Sequence, residues 1–127
     1  LPTVTIARSV HDRLSGLAMA AYDRLPDVAD FLERELDRAQ VVADHALPDA
    51  TITVRSRVTF LDCDTLQRHT VTLVWPQEED SARQRMSVMT PVGVALIGLR
   101  AGQGIAWKSR AGLWRRLRVE AVSNPGG

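Results

Sequence analysis

A chain of 127 residues, 45% hydrophobic and 24% charged, is long enough for one real core and has the composition of an ordinary globular domain. Its formal net charge of +1 excludes a global field for nucleic acid or an anionic membrane, and no apolar run reaches the ~20 residues of a membrane span. The single cysteine, Cys63, excludes an internal disulfide, and in Leu61-Asp62-Cys63-Asp64 it sits between carboxylates, the wrong surroundings for an activated thiolate.

Charge divides the chain. Residues 1–47 hold five basic and eight acidic residues, a net −3, and residues 48–127 hold eleven and seven, a net +4. That split predicts an acidic helical part joined to a mildly basic β part. No basic segment followed by an apolar stretch opens the sequence, so no signal peptide is expected, and the expected location is the cytoplasm.

Residues 3–6, TVTI, alternate polar and apolar and predict a short strand or an extended lead-in. Ser9 reads as a helix N-cap with Asp12 at the capping-box position. Val10, Leu14, Leu17, Ala18 and Ala21 then recur at helical spacing, and Gly16 weakens this helix by about 1 kcal/mol relative to Ala. Pro26 breaks it and biases Leu25 away from the α region. A second helix is predicted over residues 27–42, with Val28, Phe31, Leu32, Leu36, Ala39 and Val42 on one stripe. Asp27 and Asp30 stand at its start, where the macrodipole favours negative charge, and Arg34 can pair with Asp30. Two amphipathic helices joined by a short break predict an antiparallel hairpin about 25 Å long, each stripe facing the other.

After a linker, residues 43–50, the pattern turns to β. TITVRSRVTFLD (51–62) alternates through Ile52, Val54, Val58 and Phe60, and RHTVTLVWP (68–76) through Val71, Leu73 and Trp75. Residues 77–85 read as an exposed loop. Thr90-Pro91 starts a short helix, Thr as N-cap and Pro at the first helical position, with Val92, Ala95, Leu96 and Leu99 facing the core. Gly98 lies near its end and Gly102 at a turn. GIAWK (104–108) and LWRRLRVEAV (113–122) are further strands, the latter with Leu117, Val119 and Ala121 on one face. The closing SNPGG should fray. The expected fold is α+β: a short antiparallel helical hairpin over residues 1–47, then four to five antiparallel strands and one short helix over residues 48–127.

SVMTPVGVALIGLRAGQGIAW, residues 87–107, resembles the signature of the C-terminal domain of the Gre transcript-cleavage factors. With LERELDRAQVV (32–42), TVRSRVTF (53–60) and TLVWP (72–76), the chain is more similar still to the Rnk family, Gre-related bacterial regulators of nucleoside diphosphate kinase. The resemblance covers roughly residues 25–122. It implies an FKBP-like sheet domain and a Gre-type coiled coil, much shortened. It implies RNA polymerase as the partner, near the secondary channel, with competition against Gre-type factors and no RNA cleavage, because the arm is too short to reach the active centre. The alternatives are a Gre-like transcript-cleavage factor and an interaction module that regulates nucleotide metabolism. The matched positions are Ser87, Pro91, Gly98 and Gly102 in the signature and Asp23, Asp27 and Asp30 around the arm tip. Carboxylates at a Gre tip help to hold Mg²⁺, a hard cation; here acidic residues at a helix start are stabilising without a metal, and capping is the preferred reading. An acidic tip touching a basic channel wall is the intermediate one. Where the family commonly shows Gly-Asp, this sequence has Gly102-Gln103.

Other signals are weaker. His11, His45 and His69 lack metal-ligand spacing, so no metal or cofactor is expected. Trp114, Arg115, Arg116 and Arg118, with Arg55, Arg57, Arg68 and Arg110, suggest a basic face, read chiefly as solvent-exposed alternation. No direct sequence-specific nucleic-acid binding is expected, nor membrane association, and the expected state is a monomer. An FKBP-like fold does not imply isomerase activity, and the expectation is a protein that is not an enzyme.

Overall fold

The computed structural model describes residues 2–109 and 111–125. A two-stranded opening motif comes first in sequence: strand β1 (Thr5–Ala7), helices α1 (Arg8–Ala21) and α2 (Pro26–Arg38), and strand β2 (Gln40–Val42). The two helices form an antiparallel hairpin whose stripes meet through Leu14, Ala18, Ala29, Leu32 and Leu36, all buried. Each helix is about 20 Å long at ~1.5 Å per residue.

Several expectations change here. Ser9 is not an N-cap: the cap position is Ala7, with no side-chain hydrogen bond, and the Ser9 N–H donates to Asp44 Oδ1 at 3.0 Å. The second helix stops at Arg38 instead of continuing to residue 42. Residues 40–42 leave it to pair in parallel with β1, Thr5 opposite Gln40 and Ala7 opposite Val42. Arg38 turns back, its guanidinium 2.6 Å from Glu35 Oε2 and bonded to the Pro2 carbonyl.

The rest of the chain builds a five-stranded sheet from β3 (Arg57–Asp62), β4 (Gln67–Val74), β5 (Arg85–Ser87), β6 (Gly104–Lys108) and β7 (Trp114–Ser123), in the order β5-β4-β3-β7-β6. It is not wholly antiparallel, because β5 runs parallel to β4. Residues 77–85 are two short 3-10 turns leading into β5 rather than a plain loop. Helix α3 (Pro91–Leu96) lies against the inner face, with Val94, Ala95 and Leu96 buried.

The strand expected from residue 51 begins only at Arg57. Thr51 bridges to Arg100 instead, and the Ile52 N–H donates to the Leu99 carbonyl at 2.8 Å. A turn intervenes, in which the Thr53 N–H donates to Ser56 Oγ and Arg55 takes a φ of 81°. In β7 the expected face also breaks. Thr59 pairs with Ala121 and Phe60 with Val119, so Glu120 is the extra residue of a bulge. The bulge moves Ala121 outward and turns Val122 toward the core. The tail does not fray at Asn124, whose Nδ2 donates to the Thr51 carbonyl at 3.0 Å and whose Oδ1 accepts from Ser56 Oγ. Gly126 and Gly127 lie outside the described residues.

One core runs through both parts. It joins Leu14, Leu32 and Leu36 of the helices to Val58, Leu73 and Val119 of the sheet and to Leu96 and Leu99. Two aromatic contacts fasten the hairpin to the sheet: Phe31 stacks on Trp107 at 6.0 Å between centroids, and the Arg13 guanidinium lies 4.0 Å over the Trp75 ring.

Candidate functional site

The arm tip is the turn between α1 and α2. Pro26 takes the first helical position of α2, where its missing N–H costs nothing. Leu25 at the cap position gives no side-chain bond, so the acidic Asp27 in the first turn is what complements the helix dipole. Asp23, Asp27 and Asp30 are all exposed. Asp30 pairs with Arg34 at 3.2 Å. The Tyr22 hydroxyl donates to Glu33 Oε2; that bond first, then partial desolvation and the nearby carboxylates, pushes the phenol up to about 12. Among the described residues no group of three or more His, Cys, Asp or Glu side chains is placed to hold a metal ion.

The signature meets this tip. A groove of ≈ 700 Å³ is lined on one side by Arg24, Asp27, Asp30 and Arg34 and on the other by Pro91, Trp107 and Lys108. Pro91 of the signature and two of the three tip aspartates thus border one space. Ser87, Gly98 and Gly102 lie elsewhere. Ser87 is buried; its Oγ accepts from the Met89 N–H at 3.0 Å and its carbonyl from Thr90 Oγ1 at 2.9 Å. Thr90 caps α3 by accepting the Gly93 N–H at 3.0 Å. Gly98, at φ 81°, presses against the N-terminal strand: a Cβ there would stand 2.4 Å from Val4 Cγ1, and its carbonyl accepts the Thr5 N–H. Gly102, at φ 90°, faces open space.

Sequence reasoning missed a second concavity, on the inner face of the sheet. It is a cleft of ≈ 170 Å³ lined by Phe60, His69, Val71, Met86, Val92 and Trp107. Asp62 and Arg115 close its rim, 3.1 Å apart. The wide separation of these residues in sequence leaves no local motif for them. His69 stacks on Phe60 at 5.4 Å, and His11 Nε2 donates to the Leu36 carbonyl. The expected basic face is largely neutralised, with Arg55 on Glu78, Arg68 on Glu120, and Arg115 and Arg116 on Asp62 and Asp64. Arg110 lies outside the described residues. No helix among the described residues is long and apolar enough to cross a membrane.

Comparison with known proteins places this geometry. The model of the GreA/GreB transcription elongation factor C-terminal family matches residues 47–124, and that of the Rnk N-terminus matches residues 2–42. The regulator of nucleoside diphosphate kinase of Escherichia coli is 38% identical over 119 residues, 93% of this chain and 87% of that protein. The chain belongs to the GreA/GreB family, in its Rnk branch.

A transcription elongation factor GreA of Thermotoga neapolitana is 31% identical over 73% of this chain, which spans 58% of that longer protein. The solved structure of a prokaryotic GreA/GreB elongation factor from Nitrosomonas europaea superposes with a TM-score of 0.71 at 32% identity, covering 97% of this chain and 99% of that one. The fold is therefore the mixed α+β fold of a GreA/GreB-like protein, and its relatives are named as regulators and elongation factors. In this Rnk-type chain the departure at Gln103 has a structural role, since its Oε1 accepts the Arg100 N–H at 2.8 Å and closes the turn before β6. Gly93 was not singled out from sequence, yet a Cβ there would meet the Ser87 carbonyl at 2.5 Å.

Proposed function

We propose that this protein binds bacterial RNA polymerase near its secondary channel and competes there with Gre-type factors without cleaving RNA. In this reading residues 1–47 form a much shortened coiled coil and residues 48–127 an FKBP-like domain that carries most of the polymerase contact. Asp23, Asp27 and Asp30 present an acidic tip to a basic channel wall, where complementary charge steers docking. The protein acts in the cytoplasm as a monomer, and it is not an enzyme.

The observation that carries the reading is the length of the arm, 14 and 13 residues in its two helices, together with the way Phe31 ties it down on Trp107. A probe of about 20 Å, seated on its own sheet, suits occupancy of a site more than delivery of chemistry at a distance. The name of the Escherichia coli relative fits an effect on a nucleotide-metabolism enzyme exerted through transcription.

The test is binding to purified polymerase with a Gre factor titrated in and stalled complexes assayed in parallel for transcript shortening. Binding with competition and no shortening is expected. Absence of binding at low salt overturns the proposal, and metal-dependent shortening replaces it with a cleavage factor.

A further inference from the structure

The outward face of the sheet carries a feature that the polymerase reading does not use. Along β7, Leu117 and Val119 are buried while Trp114, Arg116 and Arg118 are exposed. Their partners on β6 are Lys108, Ala106 and Gly104 respectively. The indole therefore has a lysine beside it, and the two arginines stand opposite small residues. On the other side Arg118 pairs with Leu61, which pairs in turn with Arg68.

This face sets four cations, Arg68, Lys108, Arg116 and Arg118, against Asp64 and Glu120. Arg68 is bound to Glu120 at 2.7 Å, and Arg116 lies 3.7 Å from Asp64. Among the described residues Lys108 and Arg118 show no ion pair. Trp114 is 64% exposed, against 8% for both Trp75 and Trp107. An indole left in water gives the fold little, since its apolar area stays unburied. An open aromatic face beside two unpaired cations, Lys108 and Arg118, has the two elements that hold a single nucleic-acid strand: a ring for base stacking and positive charge for the backbone. In a duplex the base faces are already stacked and closed to the indole.

We propose that this outward face binds single-stranded nucleic acid without sequence preference. One unpaired base stacks on Trp114 while Lys108 and Arg118 hold the flanking phosphates. The Phe31–Trp107 seam lies on the other face of the sheet, so the helical arm takes no part in this surface.

Tryptophan fluorescence of the full chain, titrated with a short oligouridylate at low salt, tests the proposal. Quenching is expected, because Trp114 is the one tryptophan open to a base among the three, and it should weaken as salt rises. In anisotropy with a labelled oligouridylate, Trp114→Leu loses affinity about tenfold, the worth of one stacked base. Arg118→Gln lowers the salt slope by about one. Both positions are exposed, and unchanged thermal melting of the variants checks their fold. The proposal is overturned by no binding at low salt, by Trp114→Leu binding as tightly as the parent, or by duplex RNA binding as tightly as the single strand. It is equally overturned if poly-glutamate competes as well as unlabelled oligouridylate, which would leave charge alone at work.

Discussion

Phe31 of α2 and Trp107 of β6 stack across the seam between arm and sheet, their ring centroids 6.0 Å apart and their planes 23° apart. Both rings are buried, so the pair fixes where the tip stands relative to Pro91. Replacing Phe31 with Ala is expected to cost about 3 kcal/mol, the low end for truncating a buried Phe. Urea denaturation measures it. A loss below about 1 kcal/mol would mean that the rings touch without holding the arm.

Gly98 and Gly102 share a positive φ but not their surroundings. Gly102→Ala carries backbone strain alone, about 1 kcal/mol, because nothing stands near its Cβ. Gly98→Ala adds a collision with Val4 and the Thr5 backbone, and its expected loss is about 3 kcal/mol or more. Thermal melting of the two variants side by side tests the ranking, and equal losses would contradict it.

Thr90 caps α3 and also bonds back to the Ser87 carbonyl. Thr90→Ala should lose about 1 kcal/mol, as N-cap removals do, whereas Thr90→Ser should fall within a few tenths of the parent. A serine variant as unstable as the alanine one would shift the explanation from the hydroxyl to the methyl group.

Asp44 provides a pH test. Its hydrogen bonds with Ser9, side chain first and backbone second, hold its carboxyl below the ordinary 3.8. A lowered folded-state value means that the ionised form favours the fold. The contribution is therefore fully present above pH 3.8 and is lost as pH falls through the folded value. The stability gap between the parent and Asp44→Asn should be open at neutral pH and close below that range. A gap that persists unchanged in acid would show that the Ser9 contact does not depend on the charge.

For the acidic tip, the double change Asp23→Asn with Asp30→Asn should weaken polymerase binding by about threefold at low salt and by less at high salt. Folding should change little, since the exposed Asp30–Arg34 pair is worth a few tenths of a kcal/mol. Unchanged affinity would remove the tip from the contact surface.

The helical hairpin was legible because Leu14, Ala18, Leu32 and Leu36 repeat at 3.6-residue spacing, a local signal. So was α3, announced by Thr90-Pro91. What stayed hidden was set by partners far away in sequence. Residues 40–42 continue an apolar stripe and become a strand only because β1 waits at the other end of the hairpin. Thr51 and Ile52 alternate like a strand start but pair with the segment after α3. Ala121 shares the parity of Leu117 and Val119 until the register against Thr59 and Phe60 inserts the bulge. The site followed the same rule. Its aspartates could be read one by one, whereas the groove that joins them to Pro91 and Trp107 exists only after folding. The arginines of β7 looked alike in sequence, yet Arg115 and Arg116 meet Asp62 and Asp64 at the end of β3, whereas Arg118 shows no ion pair among the described residues.

The short strand at the front of the chain sets an order of events. Its Thr5 N–H bonds to the Gly98 carbonyl, and the Gln40 N–H bonds to the Val4 carbonyl. A chain emerging from the ribosome can close its helical hairpin once Arg38 is out, yet the clasp that seats it is complete only when residue 98 has followed. Seating the arm therefore waits on residues from the far half of the chain, Gly98 first and then Trp107, and a side chain at Gly98 would press on the strand that makes the clasp.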